Sequence, residues 1–406
     1  MTSAVLTPPA QVGWLRISWV LYLACIALSF FVMIEPAPTD LVFALSFGAL
    51  ILGGVSRDYL VGPVVTVGLL VFMWFTILSL IFVTGFHVQA VRAVIVEIYL
   101  VLLFLMTAYF TRRWGDKGFD RITVMYIIGG VIATVIGVLA YLELVPNREI
   151  FFRDEHLKRI KSTFKDPNVF GPFLILPLLA SFWLALSSKR LMPVALTAVL
   201  ATGLIIAYSR GAWVHCLISL SIFGVALLVN RQTFLRTFTL LSALSVIVVL
   251  LAVYFSDQIA QSVESSFFAQ RLSFQSYDSE RFSVIWAVVK DLVLNPFGIG
   301  PYQSILVYRI EPHNTFVLVA LHNGIPAAIG YTVVFLAAIY RCFVKVVQQE
   351  DGWMKYAFIF SILIGLLVLS NVVSSLHWRH LYVIMGLAFG EYKSNGILER
   401  RSKKLA

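Results

Sequence analysis

Three basic residues stand where apolar stretches of the sequence begin or end, and their side chains suit phosphate chemistry. Arg210 lies in the motif SRGAW between two apolar runs, Arg281 begins an amphipathic stretch, and His313 lies in EPHNTF before another apolar run. Arginine presents a planar fork of donors to phosphate oxygens, and histidine can accept a proton near neutral pH. Together they predict a site that binds a phosphorylated substrate and transfers a proton. The plainer alternatives are an arginine snorkelling to lipid headgroups, an ordinary exposed arginine and a histidine contacting headgroups.

The sequence holds no motif for a nucleotide or a metal. It has no Walker loop, no GxGxxG opening a βαβ unit, no HExxH and no Cys/His metal spacing. Cys25, Cys216 and Cys342 lie in or at the end of apolar stretches, so no disulfide framework is predicted. We therefore expect no cofactor, no metal and no nucleic-acid partner.

The composition indicates what must position these residues. Of the 406 residues, 60% are hydrophobic and 13% are charged, whereas a soluble domain is nearer half apolar and a quarter charged. This excludes a soluble enzyme, a disordered chain and a receptor with a large ectodomain. Only helices satisfy their backbone in lipid without closing a barrel, and each span takes about 20 apolar residues. We predict an all-α polytopic membrane protein, a single membrane domain over residues 1–406 with about 12 transmembrane helices.

Long apolar runs bounded by charges or by Pro and Gly are the candidate spans. They lie near residues 13–34, 41–55, 60–84, 93–111, 122–143, 169–187, 191–208, 211–229, 237–255, 315–340, 356–373 and 376–391. The first run continues into further spans without a cleavage site, so we expect it to be a retained helix.

Positive charge sets the predicted orientation. With both termini in the cytoplasm, 18 of the 31 Lys and Arg residues fall on the inner side, and the short outer loops hold only Arg92, Arg210 and Arg379. By the positive-inside rule, Arg210, Arg281 and His313 then all lie on the outer face.

Two longer outer segments break this charge rule. The basic segment 144–168 is either a loop on anionic headgroups or a collar whose basic residues, among them Arg159, Lys161 and Lys165, attract a phosphorylated substrate. In the segment 256–314 between the ninth and tenth spans, Ser279 is the predicted cap of a helix that could roof a cavity. Its predicted apolar face consists of Phe282, Ile285, Trp286, Val289, Leu292 and Val293.

Other polar residues in or near the spans are expected to have structural partners rather than chemical roles, because an ionisable group in lipid needs a partner. They are Glu97, Glu143, His215, His322, His377 and His380.

The order and spacing of these motifs resemble the O-antigen ligase and O-antigen polymerase family of bacterial membrane glycosyltransferases. The matching segments are FKDPNVFGPF at 164–173, SRGAW at 209–213, ERFSVIW at 280–286, NPFGIGP at 295–301 and HNTFVLVALHNG at 313–324. Where many members of the family have an acidic residue nine positions after the histidine, this chain has His322.

The resemblance implies an O-antigen ligase in the bacterial inner membrane, with its active site on the periplasmic face. It would move a glycan from undecaprenyl diphosphate to a sugar of the lipid A–core by inverting transfer without a metal. By position, Arg210 and Arg281 would bind the diphosphate, His313 would be the base or an acceptor-side group, and Asn314 would contact substrate. The basic segment 144–168 would suit a phosphorylated lipid A–core acceptor.

Two alternatives remain open from the sequence. A polymerase of the same family would extend the lipid-linked glycan itself, forming O-antigen or exopolysaccharide. A transporter or flippase of lipid-linked sugars would instead need paired, interrupted helices near the membrane midplane. The ionisable residues lie mostly at predicted outer ends, which favours the enzyme.

Overall fold

The chain folds into a mostly helical bundle, as predicted. The computed structural model describes residues 9–55, 61–154, 159–188, 190–230 and 276–397. The α-helices of this part are α1 Pro9–Leu28, α2 Pro38–Gly53, α3 Pro63–Leu78, α4 His87–Tyr141, α5 Pro167–Phe173, α6 Ile175–Ser187, α7 Leu191–Ile206, α8 Arg210–Val229, α9 Ser276–Asp291, α10 Gln303–Tyr308, α11 Thr315–Asn323, α12 Ile325–Val347, α13 Trp353–Ser370 and α14 Arg379–Leu387.

Six helical stretches in the described ranges are long and apolar enough to cross a membrane. They are Pro63–Phe82, His87–Tyr141, Pro167–Ser187, Arg210–Val229, Ile325–Val347 and Trp353–Ser370. The predicted count of about 12 spans is not confirmed. The candidate span 237–255 lies outside the described residues, and the candidate 376–391 contains only the nine-residue helix α14, which rises about 13 Å.

Helix α4 reverses direction at Gly115, which explains its 55 residues. Gly115 has a φ of 52° and a ψ of −129°, a conformation that glycine adopts without steric cost. A Cβ at Gly118 would lie 3.1 Å from the carbonyl oxygen of Phe110, although eight residues of straight helix span about 12 Å. The two arms, 87–114 and 116–141, overlap the predicted spans 93–111 and 122–143.

Helix α13 is mostly buried, and its first and last residues serve here to mark the two ends of the bundle. It packs closely on α8, since a Cβ at Gly365 would meet the ring of His215 at 2.2 Å. Lys355 near its start and Leu369 near its finish are separated by about 21 Å of helix. We call the end near Leu369 the motif end. At the opposite end the buried Nζ of Lys355 pairs with Asp116 Oδ1 at 2.7 Å.

The basic segment 144–168 is partly ordered into secondary structure. Its strands β1 (Phe152–Asp154) and β2 (Arg159–Ile160) pair antiparallel, and residues 155–158 lie outside the described ranges. The hairpin is fastened to the bundle, because Ser162 Oγ donates to the carbonyl oxygen of Ala133 at 2.6 Å.

The segment 256–314 is described from residue 276 onward and differs from its prediction at the start of the helix. Ser279 lies inside α9 and does not cap it. Part of the predicted apolar face is turned outward: Trp286 and Val293 are 68% and 80% exposed, whereas Ile285 and Leu292 are partly buried. Because α9 also carries charged residues, this orientation is typical of a helix lying at a membrane surface. The helix packs on α11, and Tyr308 donates to Asp291 Oδ2 at 2.5 Å.

Candidate active site

Arg210 is the first residue of α8 and lies at the motif end. Ser209 caps the helix: its buried Oγ accepts from the backbone N–H of Ala212 at 3.4 Å. Gly211 sits against the end of α13, where an added Cβ would lie 2.5 Å from Leu369 Cδ1. Arg210 itself is half-buried. The motif therefore places Arg210 in the first turn of a helix, whose N–H groups carry partial positive charge.

His313 precedes α11, and the two residues that follow it, Asn314 and Thr315, anchor the start of that helix. The side-chain oxygen of Asn314 caps α11 by accepting from the N–H groups of Phe316 and Val317, at 3.0 and 3.1 Å. Its amide nitrogen donates to the carbonyl oxygen of Asn371 at 3.3 Å. The oxygen and the nitrogen of the Asn314 side-chain amide therefore both have partners within the protein. The sequence analysis predicted only a substrate contact for this residue.

Thr315 completes the attachment of α11 to the residues that follow α13. Its Oγ1 donates to the carbonyl oxygen of Val373 at 3.0 Å and accepts from the N–H of Ser375 at 2.8 Å. The turn 371–375 thus holds the start of α11, while α8 begins against Leu369, two residues before that turn. Arg210 and His313 therefore both lie near the end of α13, each beside a helix N-terminus of the kind that favours an anion.

A polar chain joins one predicted binding residue to this site. Arg159 Nη2 donates to Asn168 Oδ1 at 3.0 Å, and the same oxygen accepts from Ser209 Oγ at 3.0 Å. Asn168 belongs to α5, whose first turn is capped by Asp166. Arg159 is therefore linked by hydrogen bonds to Ser209, the residue before Arg210. Neither the charge pattern nor the spacing of the motifs predicted this link.

The other two predicted binding residues lie elsewhere. Lys165 pairs with Glu35, which also pairs with Arg92. Burial raises the pKa of the Glu35 carboxyl, but Lys165 and Arg92 outweigh it and the pKa is lowered. Lys161 follows β2, and its backbone N–H donates to Phe151. The structure does not bring Lys161 and Lys165 into the polar chain that reaches Arg210.

Close packing of α5 against the start of α8 gives a testable stability prediction. A Cβ at Gly171 would lie 2.6 Å from the Cβ of Ala212. We expect Gly171→Ala to destabilise the protein by about 1–3 kcal/mol because the two backbones must separate. The measurement is the melting temperature of the purified protein in detergent. Gly224→Ala is the matched control, because nothing lies within 4 Å of that added Cβ. Equal melting temperatures for both variants would contradict the prediction.

Five of the six polar residues expected to have structural partners have a polar partner in the structure. Glu97 is fully buried; its Oε2 accepts from Asn323 Nδ2 at 2.7 Å and from Thr76 Oγ1 at 3.2 Å. Its Oε1 lies 3.6 Å from Nε2 of the half-exposed His377. His322, at the position where the family often has an acid, lies with its Nε2 3.0 Å from Ser304 Oγ. Glu143 pairs with Arg148, and His215 lies against the Ile362 carbonyl. The ring of His380 stacks on Trp378, but its buried Nε2 has no hydrogen-bond partner among the described residues.

Glu311 is a further candidate for the site, which the sequence analysis did not include. It stands two residues before His313, and its side chain is partly buried. Burial raises the pKa of its carboxyl, and the nearby His377 lowers it in part. An acid two residues before a proposed base in EPHNTF was the available signal, since neighbouring titratable groups shift each other's proton affinity.

Arg281 lies on α9, and the side chains of Arg281 and Phe282 are outside the described part of the structure. The helix itself packs against α11, the helix that His313 precedes. No group of three or more His, Cys, Asp or Glu side chains within the described ranges is arranged to hold a metal ion.

Comparison with known proteins adds one match. Residues 194–332 match the model of a protein family described as O-antigen ligase. The matched range contains Arg210, Arg281 and His313, and begins after the segment 164–173. A search of the curated proteins gave no match.

Proposed function

We propose that this chain, whose residues 194–332 match the O-antigen ligase family model, is a ligase of the bacterial inner membrane. It takes a glycan from undecaprenyl diphosphate and attaches it to a sugar of the lipid A–core at the periplasmic face. The observation that carries the proposal is that the helices beginning at Arg210 and just after His313 both start near the end of α13. Such a place suits an anionic leaving group and a proton acceptor.

The chemistry is a single displacement at the anomeric carbon. The acceptor hydroxyl oxygen forms the new bond while the bond to the diphosphate oxygen breaks, so the configuration inverts. The hydroxyl proton passes to His313, and the diphosphate leaves as an anion. Arg210 and the first N–H groups of α8 are positioned to stabilise the charge that develops on it. Holding donor and acceptor in line supplies the remaining acceleration.

The preference for a ligase over a polymerase comes from the hairpin segment 144–168. Its Arg159 is linked through Asn168 to the turn that presents Arg210, so a phosphorylated acceptor bound at the hairpin would lie next to the donor site. A polymerase of the same family would use the same arginine and histidine on a lipid-linked acceptor.

A transporter of lipid-linked sugars is the rival from another class. The feature that favours it is the interruption at Gly324 between α11 and α12, where φ is 91°, because transporters use broken helices. Proteoliposomes distinguish the two: substrate movement driven by a gradient, with no glycosidic bond made, would replace the enzyme by the transporter.

Replacement of Arg281 tests the second proposed diphosphate contact. We expect Arg281→Ala to lower glycan transfer about 100-fold or more, as loss of one charged donor to a developing anion does. Lys290→Ala on the same helix is the control, because Lys290 is exposed and outside the proposed site. Transfer is measured after membrane insertion of both variants has been verified. Full activity of Arg281→Ala would remove this residue from the site.

A further inference from the structure

A basic cavity lies at the end of the bundle opposite to Arg210 and His313. It has a volume of about 360 Å³, and its lining includes Arg112, Arg341 and Lys345. These residues come from the end of the first arm of α4 and from the last turns of α12. The first residues of α3, Pro63 to Val65, close one side. The glycosyl-transfer site proposed above uses none of these residues.

Two guanidinium groups are held side by side in this cavity. Arg112 Nε donates to the carbonyl oxygen of Phe389 at 2.8 Å, and Arg341 Nε donates to that of Ala388 at 3.0 Å. Because the two acceptors are consecutive carbonyls, the two cations are fixed near each other. Keeping like charges together costs free energy unless an anion is near.

The carboxylates that contact these cations lie at the rim. Glu391 pairs with Arg341 and Glu350 pairs with Lys345, and neither is among the lining residues. Their side chains are 55% and 40% exposed, so each pair contributes little. The lining thus carries three cations and no carboxylate. The N-terminus of α3 adds partial positive charge, since its cap residue Gly62 has no side chain to bond the first N–H groups.

The outer walls of the cavity are apolar and exposed. Val64 is 63% exposed and Tyr340 is 69% exposed, and both line the cavity. In a membrane protein such a surface meets acyl chains, and tyrosine is typical of the interface. An occupant with an anionic head and apolar tails therefore matches the cavity better than a small free anion.

We propose that this cavity binds the headgroup of an anionic phospholipid, with Arg112, Arg341 and Lys345 around its phosphate. Basic pockets between transmembrane helices are suited to such headgroups. By the predicted orientation, the lipid belongs to the cytoplasmic leaflet.

The experiment measures lipid binding to the purified, delipidated full-length protein in detergent by native mass spectrometry. The probes are phosphatidylglycerol and phosphatidylcholine with the same acyl chains. We expect phosphatidylglycerol to bind at least about 10-fold more tightly to the wild type, since each basic residue contributes about a factor of five. Equal binding of the two lipids would overturn the proposal.

Two variants and one competitor locate the site and identify its occupant. Arg341→Gln should abolish most of the preference; because Arg341 also holds a backbone carbonyl, Lys345→Gln provides a milder test with an expected loss of about fivefold. Lys393→Gln removes an exposed charge at the same end of the bundle and should change nothing. A preference unchanged in Lys345→Gln, or reduced equally in Lys393→Gln, would contradict the assignment. Displacement of the lipid by millimolar inorganic phosphate would indicate a site for a free anion instead.

Discussion

Arg210→Ala is expected to lower glycan transfer about 100- to 1,000-fold, the usual cost of removing one donor from a developing negative charge. Arg210 stands at the first turn of α8, where Ser209 caps the helix and Gly211 allows close contact with α13. The helix cap and the close contact with α13 are made by Ser209 and Gly211 and not by the guanidinium group. The variant should therefore insert and melt as the wild type does, while kcat falls more than the donor KM rises.

The control for Arg210→Ala is Arg309→Ala, which removes another arginine near α11. Arg309 is exposed and ends α10, and it has no part in the proposed chemistry. Transfer is followed as glycan attached to lipid A–core in membranes with matched protein levels. If both variants lose activity equally, general surface charge explains the effect and Arg210 has no specific role. Full activity of Arg210→Ala would place the diphosphate elsewhere.

His313→Gln is expected to lower transfer about 100- to 10,000-fold, the range for loss of a general acid–base group. Glutamine keeps hydrogen-bonding capacity but cannot take the hydroxyl proton. The helix start that follows is held by Asn314 and Thr315, so the fold should survive the substitution. In the wild type, transfer should decline as the pH is lowered, because a protonated imidazole cannot act as a base.

The pH dependence distinguishes a base from a binding group. The decline toward low pH should disappear in the residual activity of His313→Gln, and it should persist in His87→Gln. His87 is exposed and begins α4, so it serves as the matched histidine control. A residual activity with an unchanged acid decline would assign the base to another group, with Glu311 the nearest titratable side chain along the sequence.

The sequence predicts the positions of the two key side chains because each stands at a helix start. A Ser before an apolar run and an Asn-Thr pair before another are ordinary N-cap patterns, and both helices begin there. The charge count placed both starts on one face. It could not predict the turn 371–375 that α11 is fastened to, since contacts between residues about 60 positions apart leave no local pattern.

Other features of the fold could not be predicted from the sequence, again for physical reasons. The two arms of α4 were predicted as separate spans, but the turn between them at the single residue Gly115 depends on its dihedral angles, which hydropathy does not indicate. The apolar periodicity of α9 was correctly assigned to a helix, but periodicity cannot say whether the apolar face meets protein or lipid. The link from Arg159 through Asn168 to Ser209 requires a hairpin to fold back on α5, which spacing alone does not indicate.

Product analysis with the purified protein tests the central claim most directly. The protein is supplied with an undecaprenyl-diphosphate-linked glycan and lipid A–core, in the presence of a chelator. We predict glycan attached to the core in the inverted anomeric configuration, formed at an undiminished rate without a metal. Longer lipid-linked chains with no core-attached glycan would contradict the ligase assignment and establish a polymerase.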